Sequence, residues 1–338
     1  RWLVLGDTGY GSRVGHCCHY SMALLAQPGA WRMTGQAVCV IGGCHIDRHL
    51  YFDSAPVTGR TNPARIVEAP GGVAANIARH LAAAGHKVGF AGVHPDGESA
   101  SLCGQLRNAG IGAQLIPLEG EAPSYTALIG PDGELLIGAA ALSIYDAVTP
   151  DVLAAMLASL TAGTALPATM IIDANFPESV LQALVDALTP DQALYAAATS
   201  PRKVDRLAAI LPRLDGLVLN RAEATQLATG LTAAKPGPDV SMLASTLAGR
   251  MRHGGHVLVS DGGDPAALAT GDQLATAMPP AIQMVNANGA GDAMAAALFS
   301  AMLASRHVRP DEKDSGKLLE TALAAGAHHS LKPAGQSS

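Results

Sequence analysis

A chain of 338 residues with 49% hydrophobic content can bury one large core or two modest ones. Only 15% of its residues are charged and the formal net charge is −6, which argues against nucleic-acid or membrane-surface binding through bulk charge. No apolar run approaches the ~20 residues of a membrane span, and five irregularly spaced cysteines (Cys17, Cys18, Cys39, Cys44, Cys103) suit a reducing cytoplasm.

Residues 1–36 show no clear period and read as a disordered extension, or as sequence upstream of a start at Met33. They lack the basic segment, apolar core and cleavage site of a signal peptide. His16-Cys17-Cys18-His19 lacks the separated ligand pairs of common zinc sites, so metal binding is the lesser reading there. Order begins with the apolar run Ala37 to Gly43, which predicts a buried parallel strand. Asp47 follows just past it, where open α/β sheets place ligands; a turn cap is the alternative. Residues 48–69 are polar and broken by prolines, with short strand-like pieces such as Arg65 to Glu68. Gly71 and Gly72 then let backbone approach a ligand, and Asn76 opens an amphipathic helix over Ile77 to Ala84 with both a donor and an acceptor.

Lys87 to Val93 reads as a second strand, Pro95-Asp96-Gly97 as a turn, and Ser99 to Asn108 as a helix closed by Gly110. Two strand-like runs, Tyr125 to Ile129 and Glu134 to Gly138, flank Pro131-Asp132-Gly133 and predict a hairpin. From Pro150 the pattern alternates. Helices over Pro150 to Leu160, Ser179 to Leu188, Arg202 to Leu211 and Ser241 to His253 alternate with strands over Thr169 to Asp173, Ala193 to Ala197, Gly216 to Leu219 and Val257 to Ser260. Such alternation implies right-handed βαβ units and a parallel sheet covered on both faces. Asp173-Ala174-Asn175 and Asn220-Arg221-Ala222-Glu223 fall at strand ends, as ligand residues or as helix caps. Finally, Asn288-Gly289-Ala290-Gly291-Asp292 runs into an Ala-rich helix over Ala293 to Ser305, and the tail from Ser330 reads as loose. Amides at such a helix mouth attract phosphate. Asp292 there is either a cap or a base beside a bound phosphate.

Two of these stretches, Gly71-Gly72-Val73-Ala74-Ala75-Asn76 and Asn286-Ala287-Asn288-Gly289-Ala290-Gly291-Asp292, resemble in order the paired signatures of the ribokinase-like (PfkB-type) sugar and nucleoside kinases. The resemblance spans about residues 37–330. Within that family the chain looks most like bacterial pseudouridine kinases, through Asn62 to Ile66, Asp132 to Leu135, Ile144-Tyr145-Asp146, Asp173 to Glu178, Ser200 to Lys203 and Asn220 to Ala224. The resemblance implies an α/β fold, a three-layer αβα sandwich around a mostly parallel sheet. It also implies a small β lid, drawn from about residues 48–70 and 124–141 and often used for homodimerisation.

The implied activity is ATP-dependent phosphorylation of the ribose 5′-hydroxyl of pseudouridine. Asp292 would be the general base, with Gly289, Ala290 and Gly291 as the anion hole. Asp47, Gly71, Gly72 and Asn76 would hold the acceptor. Asn220, Glu223, Ser260, Gly262 and Asn288 would face the nucleotide, Glu223 organising Mg2+ indirectly. A monovalent cation is a further candidate cofactor, and no nucleic-acid or membrane partner is implied. Ala75 and Ala141 stand where an Arg and an acidic residue are usual. They keep another nucleoside, or a free sugar such as ribose or fructose, as alternative acceptors. The altered loop Ser260 to Pro265 keeps a nucleoside-binding member without catalysis as a third reading.

Overall fold

The computed structural model describes residues 37–95, 99–161, 165–231, 237, 239–271, 273–283, 288–304 and 314–331. Expectations for residues 1–36, Asp96, Gly97, Asn286, Ala287 and the tail past Leu331 lie outside them. In chain order the first half comprises β1 (Val38–Ile41), β2 (His45–Phe52), β3 (Ala64–Gly71), α1 (Val73–Ala83), β4 (Val88–His94), α2 (Ser99–Asn108), β5 (Gly112–Pro117), β6 (Ser124–Ile129) and β7 (Leu135–Ala141). After a 3-10 turn at Ser143–Ala147 come α3 (Pro150–Thr161), β8 (Thr169–Asp173), α4 (Glu178–Ala187), β9 (Ala193–Ala197) and a 3-10 helix at Val204–Arg213. The chain then forms β10 (Gly216–Asn220), α5 (Arg221–Leu231), α6 (Val240–Ala248), β11 (His256–Asp261), β12 (Asp264–Thr270), β13 (Gln273–Ala277), α7 (Ala290–Ala304) and α8 (Asp314–Ser330).

Nine strands form the main sheet in the order β13-β12-β11-β10-β9-β8-β1-β4-β5. Strands β5 to β11 of that order pair in parallel, and β12 and β13 continue antiparallel. Alternate residues of each buried strand enter opposite cores, as the two-residue period requires. Cys39, Ile41, Ile172, Leu219 and Val259 pack with Met156, Leu184, Leu207 and Leu227 on one face. Val40, Ile171, Val218 and Leu258 pack with Ile77, Leu81, Leu298 and Phe299 on the other. The parallel sheet covered on both faces, expected from the alternating pattern, and the three-layer α/β sandwich that the resemblance implies are the observed fold. Its order reverses between β1 and β8, so a crevice opens outside their C-terminal ends.

A second sheet of four strands has the order β3-β2-β6-β7. Its members β2 and β3 replace the broken pieces expected over residues 48–69 with two eight-residue strands in full antiparallel register. Asp47 therefore lies within a strand, not in a turn. Other departures have local causes. The segment Ser260 to Pro265 is not a loop but the joint of the β11–β12 hairpin, turned at Gly262 with φ +60°. Ala-rich β12 carries little strand propensity of its own and is held by burial of Ala266 to Ala269. Edge strand β5 and helix α8 add to the elements expected from the sequence. Two glycines, Gly316 and Gly326, weaken the helical pattern of α8. Gly326 is needed there, since a Cβ would lie 2.7 Å from Met294 Cγ of α7. The helix expected over Arg202 to Leu211 is a 3-10 segment shifted to Val204–Arg213, with Pro212 inside it.

The stacked pair Phe299 and Tyr195, ring centroids 5.1 Å apart, joins α7 to the sheet. Phe299 is fully buried, so Phe299→Ala is expected to cost about 3–5 kcal/mol, read as a lower urea midpoint at unchanged slope.

Candidate active site

At the crevice, the carboxylate of Asp173 ends β8 wholly buried. Its Oδ2 accepts from Gly43 N at 2.9 Å, Ala74 N at 3.2 Å and Asn175 Nδ2 at 2.8 Å, and its Oδ1 accepts from Asn175 N at 3.0 Å. Both oxygens are occupied by the protein, so Asp173 is a structural joint and not a free ligand. A Cβ on Gly42 or Gly43 would fall 2.5 Å from Asp173 or Asn175, which is why this joint needs glycines. Asn175 Oδ1 in turn accepts from Lys203 Nζ at 2.9 Å.

That joint sets the start of α1, and α1 directs Asn76 across the crevice. Asn76 Nδ2 donates to Asp292 Oδ2 at 2.8 Å, joining residues 216 positions apart. Asp292 is in the first turn of α7, whose N-terminal amides lack intrahelical partners by helix geometry. Gly289 enters that turn at φ +84°, a conformation that favours glycine. The Asp292 carboxyl is pushed up to about 7, chiefly by desolvation. The Asn76 hydrogen bond opposes the rise, while the negative charges of Asp47, Asp173 and Glu223 add to it. Part of Asp292 stays open to a neighbouring cavity, so the carboxyl is desolvated by packing yet reachable.

On one side of this pair lies Asp47. Its Oδ1 is buried without a hydrogen bond, 3.2 Å from His45 Nε2. His45 Nδ1 lies 3.1 Å from Tyr145 Oη, which donates to Cys44 O at 2.9 Å and accepts from Cys44 N at 3.0 Å. Tyr145, fully buried, thus pins the passage from β1 to β2. Gly71 and Gly72 make room for protein atoms: a Cβ would lie 2.2 Å from the Asp47 carboxyl or 2.4 Å from Gly43 O. Ala75 is buried and does not face the site, but Arg79, one turn on, reaches Pro70 O at 3.3 Å and Asn76 Oδ1 at 3.5 Å.

On the other side, a cavity of about 170 Å³ is bordered by Thr199, Asn220, Glu223, Ser260, Gly291 and Asp292. Asn220 and Glu223 form a capping box at the start of α5: Asn220 N donates to Glu223 Oε2 at 2.9 Å, and Glu223 N to Asn220 Oδ1 at 3.0 Å. Capping and site-building coincide here. Burial raises the Glu223 carboxyl above its usual range, against the Asn220 hydrogen bond. Thr199 Oγ1 is buried with no partner beside this cavity, a position no sequence signal marked. Gly262 sits exposed at its hairpin tip with nothing within 4 Å of a Cβ, and does not border the cavity. Asn288 points the other way, its Nδ2 3.1 Å from His49 Nε2 on β2.

A parallel sheet with its crevice at the β1–β8 reversal, and an acid at an anion-attracting helix mouth, make an α/β scaffold suited to a phosphate-bearing ligand. Residues 36–336 match the pfkB family of carbohydrate kinases, and the chain belongs to that family. A pseudouridine kinase from Escherichia coli is 28% identical over 269 residues, covering 78% of this chain and 82% of that protein. A carbohydrate kinase from Agrobacterium tumefaciens superposes with a TM-score of 0.69 at 27% identity, over 90% of this chain and 93% of its own. A ribokinase from Cryptococcus neoformans, solved in complex with ADP, shares the fold with a TM-score of 0.63 at 17% identity, over 88% of this chain and 95% of its own. The protein is therefore a kinase that transfers a phosphoryl group to an alcohol. Among the described residues no helix is long and apolar enough to cross a membrane.

A carboxyl raised from its ordinary value to about 7 binds its proton more tightly folded than unfolded. Its ionisation therefore destabilises the fold increasingly as pH rises from about 4 to 7. Asp292→Asn is expected to unfold at a higher temperature than wild type at pH 8, with the difference shrinking by pH 5.

Proposed function

We propose that this kinase phosphorylates the ribose 5′-hydroxyl of pseudouridine, with Asp292 as general base. The observation that carries the reading is the Asn76–Asp292 pair, a carboxyl raised to about 7 at the mouth of α7 between two polar sets. Asp47, with its unsatisfied buried oxygen, and Asn76 are the acceptor side. Sugar hydroxyls donate to carboxylates and accept from amides, so this pair suits a ribose edge. Thr199, Asn220, Glu223 and Ser260 are the nucleotide side. The segments shared with pseudouridine kinases and the 28% identical relative of that name favour this acceptor.

In the reaction, the acceptor oxygen attacks the γ-phosphorus of ATP and its proton passes to the Asp292 carboxylate. The bond from phosphorus to the β,γ-bridging oxygen breaks, and ADP leaves with that electron pair. Amides at Gly289, Ala290 and Gly291 face the oxygens on which charge accumulates. Among the described residues no group of three or more His, Cys, Asp or Glu side chains is arranged to hold a metal ion. Mg2+ carried on nucleotide phosphates would be held indirectly by Glu223, which borders the cavity. When bound, Mg2+ neutralises charge on the β- and γ-phosphates.

The second sheet supports a homodimer. Its edge strand β7 is exposed throughout, and Leu135, Leu136 and Ile137 join Ile66 as exposed apolar side chains. An unpaired apolar edge of this kind invites pairing with another copy. Wild type is expected to sediment as a dimer and Ile137→Glu as a monomer; a monomeric wild type at micromolar concentration would contradict the assignment.

Initial rates on pseudouridine, uridine, adenosine, ribose and fructose test the acceptor. The expected order has pseudouridine first. A clear preference for ribose or fructose moves the assignment to a sugar kinase. Asp292→Asn is expected to lower kcat by about 10³-fold or more with nucleotide binding retained. In wild type kcat/KM is expected to fall about tenfold per unit below the Asp292 value of about 7.

A further inference from the structure

The turn that delivers the chain to α7 is gripped from two sides. Asn288 Nδ2 lies 3.1 Å from His49 Nε2 across 239 residues of sequence, and His329 Nε2 lies 2.8 Å from Asn288 O. An amide nitrogen only donates and a carbonyl only accepts. His49 Nε2 is thus the acceptor and carries no proton, whereas His329 Nε2 is the donor. Both rings are buried, at 4% and 6% exposure. Burial also holds the His49 imidazole below its ordinary range, against the pull of Asp47, in keeping with the neutral form. A third observation is steric. A Cβ on Gly289 would sit 2.8 Å from His329 Nε2, so the imidazole of α8 occupies the space beside the turn.

We infer that His49 and His329 are positioning residues, clamping the Asn288–Gly289 turn so that the first amides of α7 stay aimed at the transferring phosphoryl group. The inference rests on the anion-hole reading of Gly289 to Gly291 and adds what fixes it. A glycine at φ +84° is otherwise a hinge. Displacing reacting groups by about 1 Å costs on the order of 10²-fold in rate. The clamp also joins the two halves of the site. His49 is two residues from Asp47 on β2, so one strand carries both the acceptor carboxylate and the hold on the anion loop. Two-residue spacing puts both side chains on the same face of the second sheet.

His49→Phe and His329→Phe keep ring volume and remove the nitrogen that makes each contact. Each is expected to lower kcat by roughly tenfold or more, with the acceptor KM changing less than about threefold. Amide hydrogen exchange over residues 288–292 is expected to quicken in both. Asn288→Ala is expected to lower kcat like His49→Phe, and the double variant to be no worse than either, because the two remove one contact. His329→Gln, which keeps a donor, is expected to recover most of the rate. Wild-type kcat with unchanged exchange in both Phe variants overturns the clamp, and so do multiplying effects of His49→Phe and Asn288→Ala. Should a Phe variant lose cooperative unfolding, the Gln variant and Asn288→Ala carry the same test. If no acceptor is phosphorylated, or Asp292→Asn turns over normally, the anion-hole reading falls and the exchange arm alone decides the clamp.

Discussion

The buried carboxylate of Asp173 is the constraint on which the site depends. An ionised carboxylate out of water is costly unless its lone pairs are satisfied. Here backbone amides from Gly43, Ala74 and Asn175, with the Asn175 side chain, meet both oxygens. One side chain thereby ties the end of β1, the first turn of α1 and the chain leaving β8. Only with α1 fixed in that direction does Asn76 face Asp292 on α7. The glycines at 42 and 43 follow from the same joint, since any Cβ there would displace the carboxylate or Asn175.

Around Asp292, the proposed base, the fold accumulates like charge instead of relieving it. Asp47, Asp173 and Glu223 come from β2, β8 and α5, and each raises the Asp292 carboxyl. A core built for stability alone would avoid that arrangement. A base acting near neutral pH profits from it, because its proton affinity then approaches that of the medium. The arrangement is tolerable because each neighbour has a structural anchor. Asp173 is hydrogen-bonded throughout, Glu223 belongs to the α5 capping box, and Asp47 sits against His45. At Asn220 and Glu223 the capping box and the cavity border are the same residues, so a capping role and the proposed nucleotide-side role do not exclude each other.

Much of the main sheet was legible in the sequence. Strands β8 and β9 and helix α2 match their expected bounds, because buried parallel strands are short apolar runs between turn residues. Less legible were elements whose signal is weak locally and supplied by neighbours. Ala-rich β12 is a strand because it pairs with β11 and β13, and α8 is a helix despite two glycines because α7 packs on it. In the site, the expected groups at Asn220, Glu223, Ser260 and Asp292 border one cavity and Asn76 bonds to Asp292, whereas Gly262 lies at an exposed hairpin tip. Thr199, His49, His329 and Arg79 carried no motif, since single residues of common types have no spacing to recognise.

By itself the sequence determined what short-range chemistry encodes: the α/β class, the anion-attracting mouth of α7, and an acid placed in its first turn. Tertiary structure alone decided what that acid experiences. Its hydrogen bond to Asn76 spans 216 residues, and its raised proton affinity comes chiefly from burial, with charges on three separate elements adding to it. The imidazoles that hold its approach turn come from β2 and α8. Coulombic and desolvation effects depend on distance and burial in space, which residue spacing along the chain does not carry.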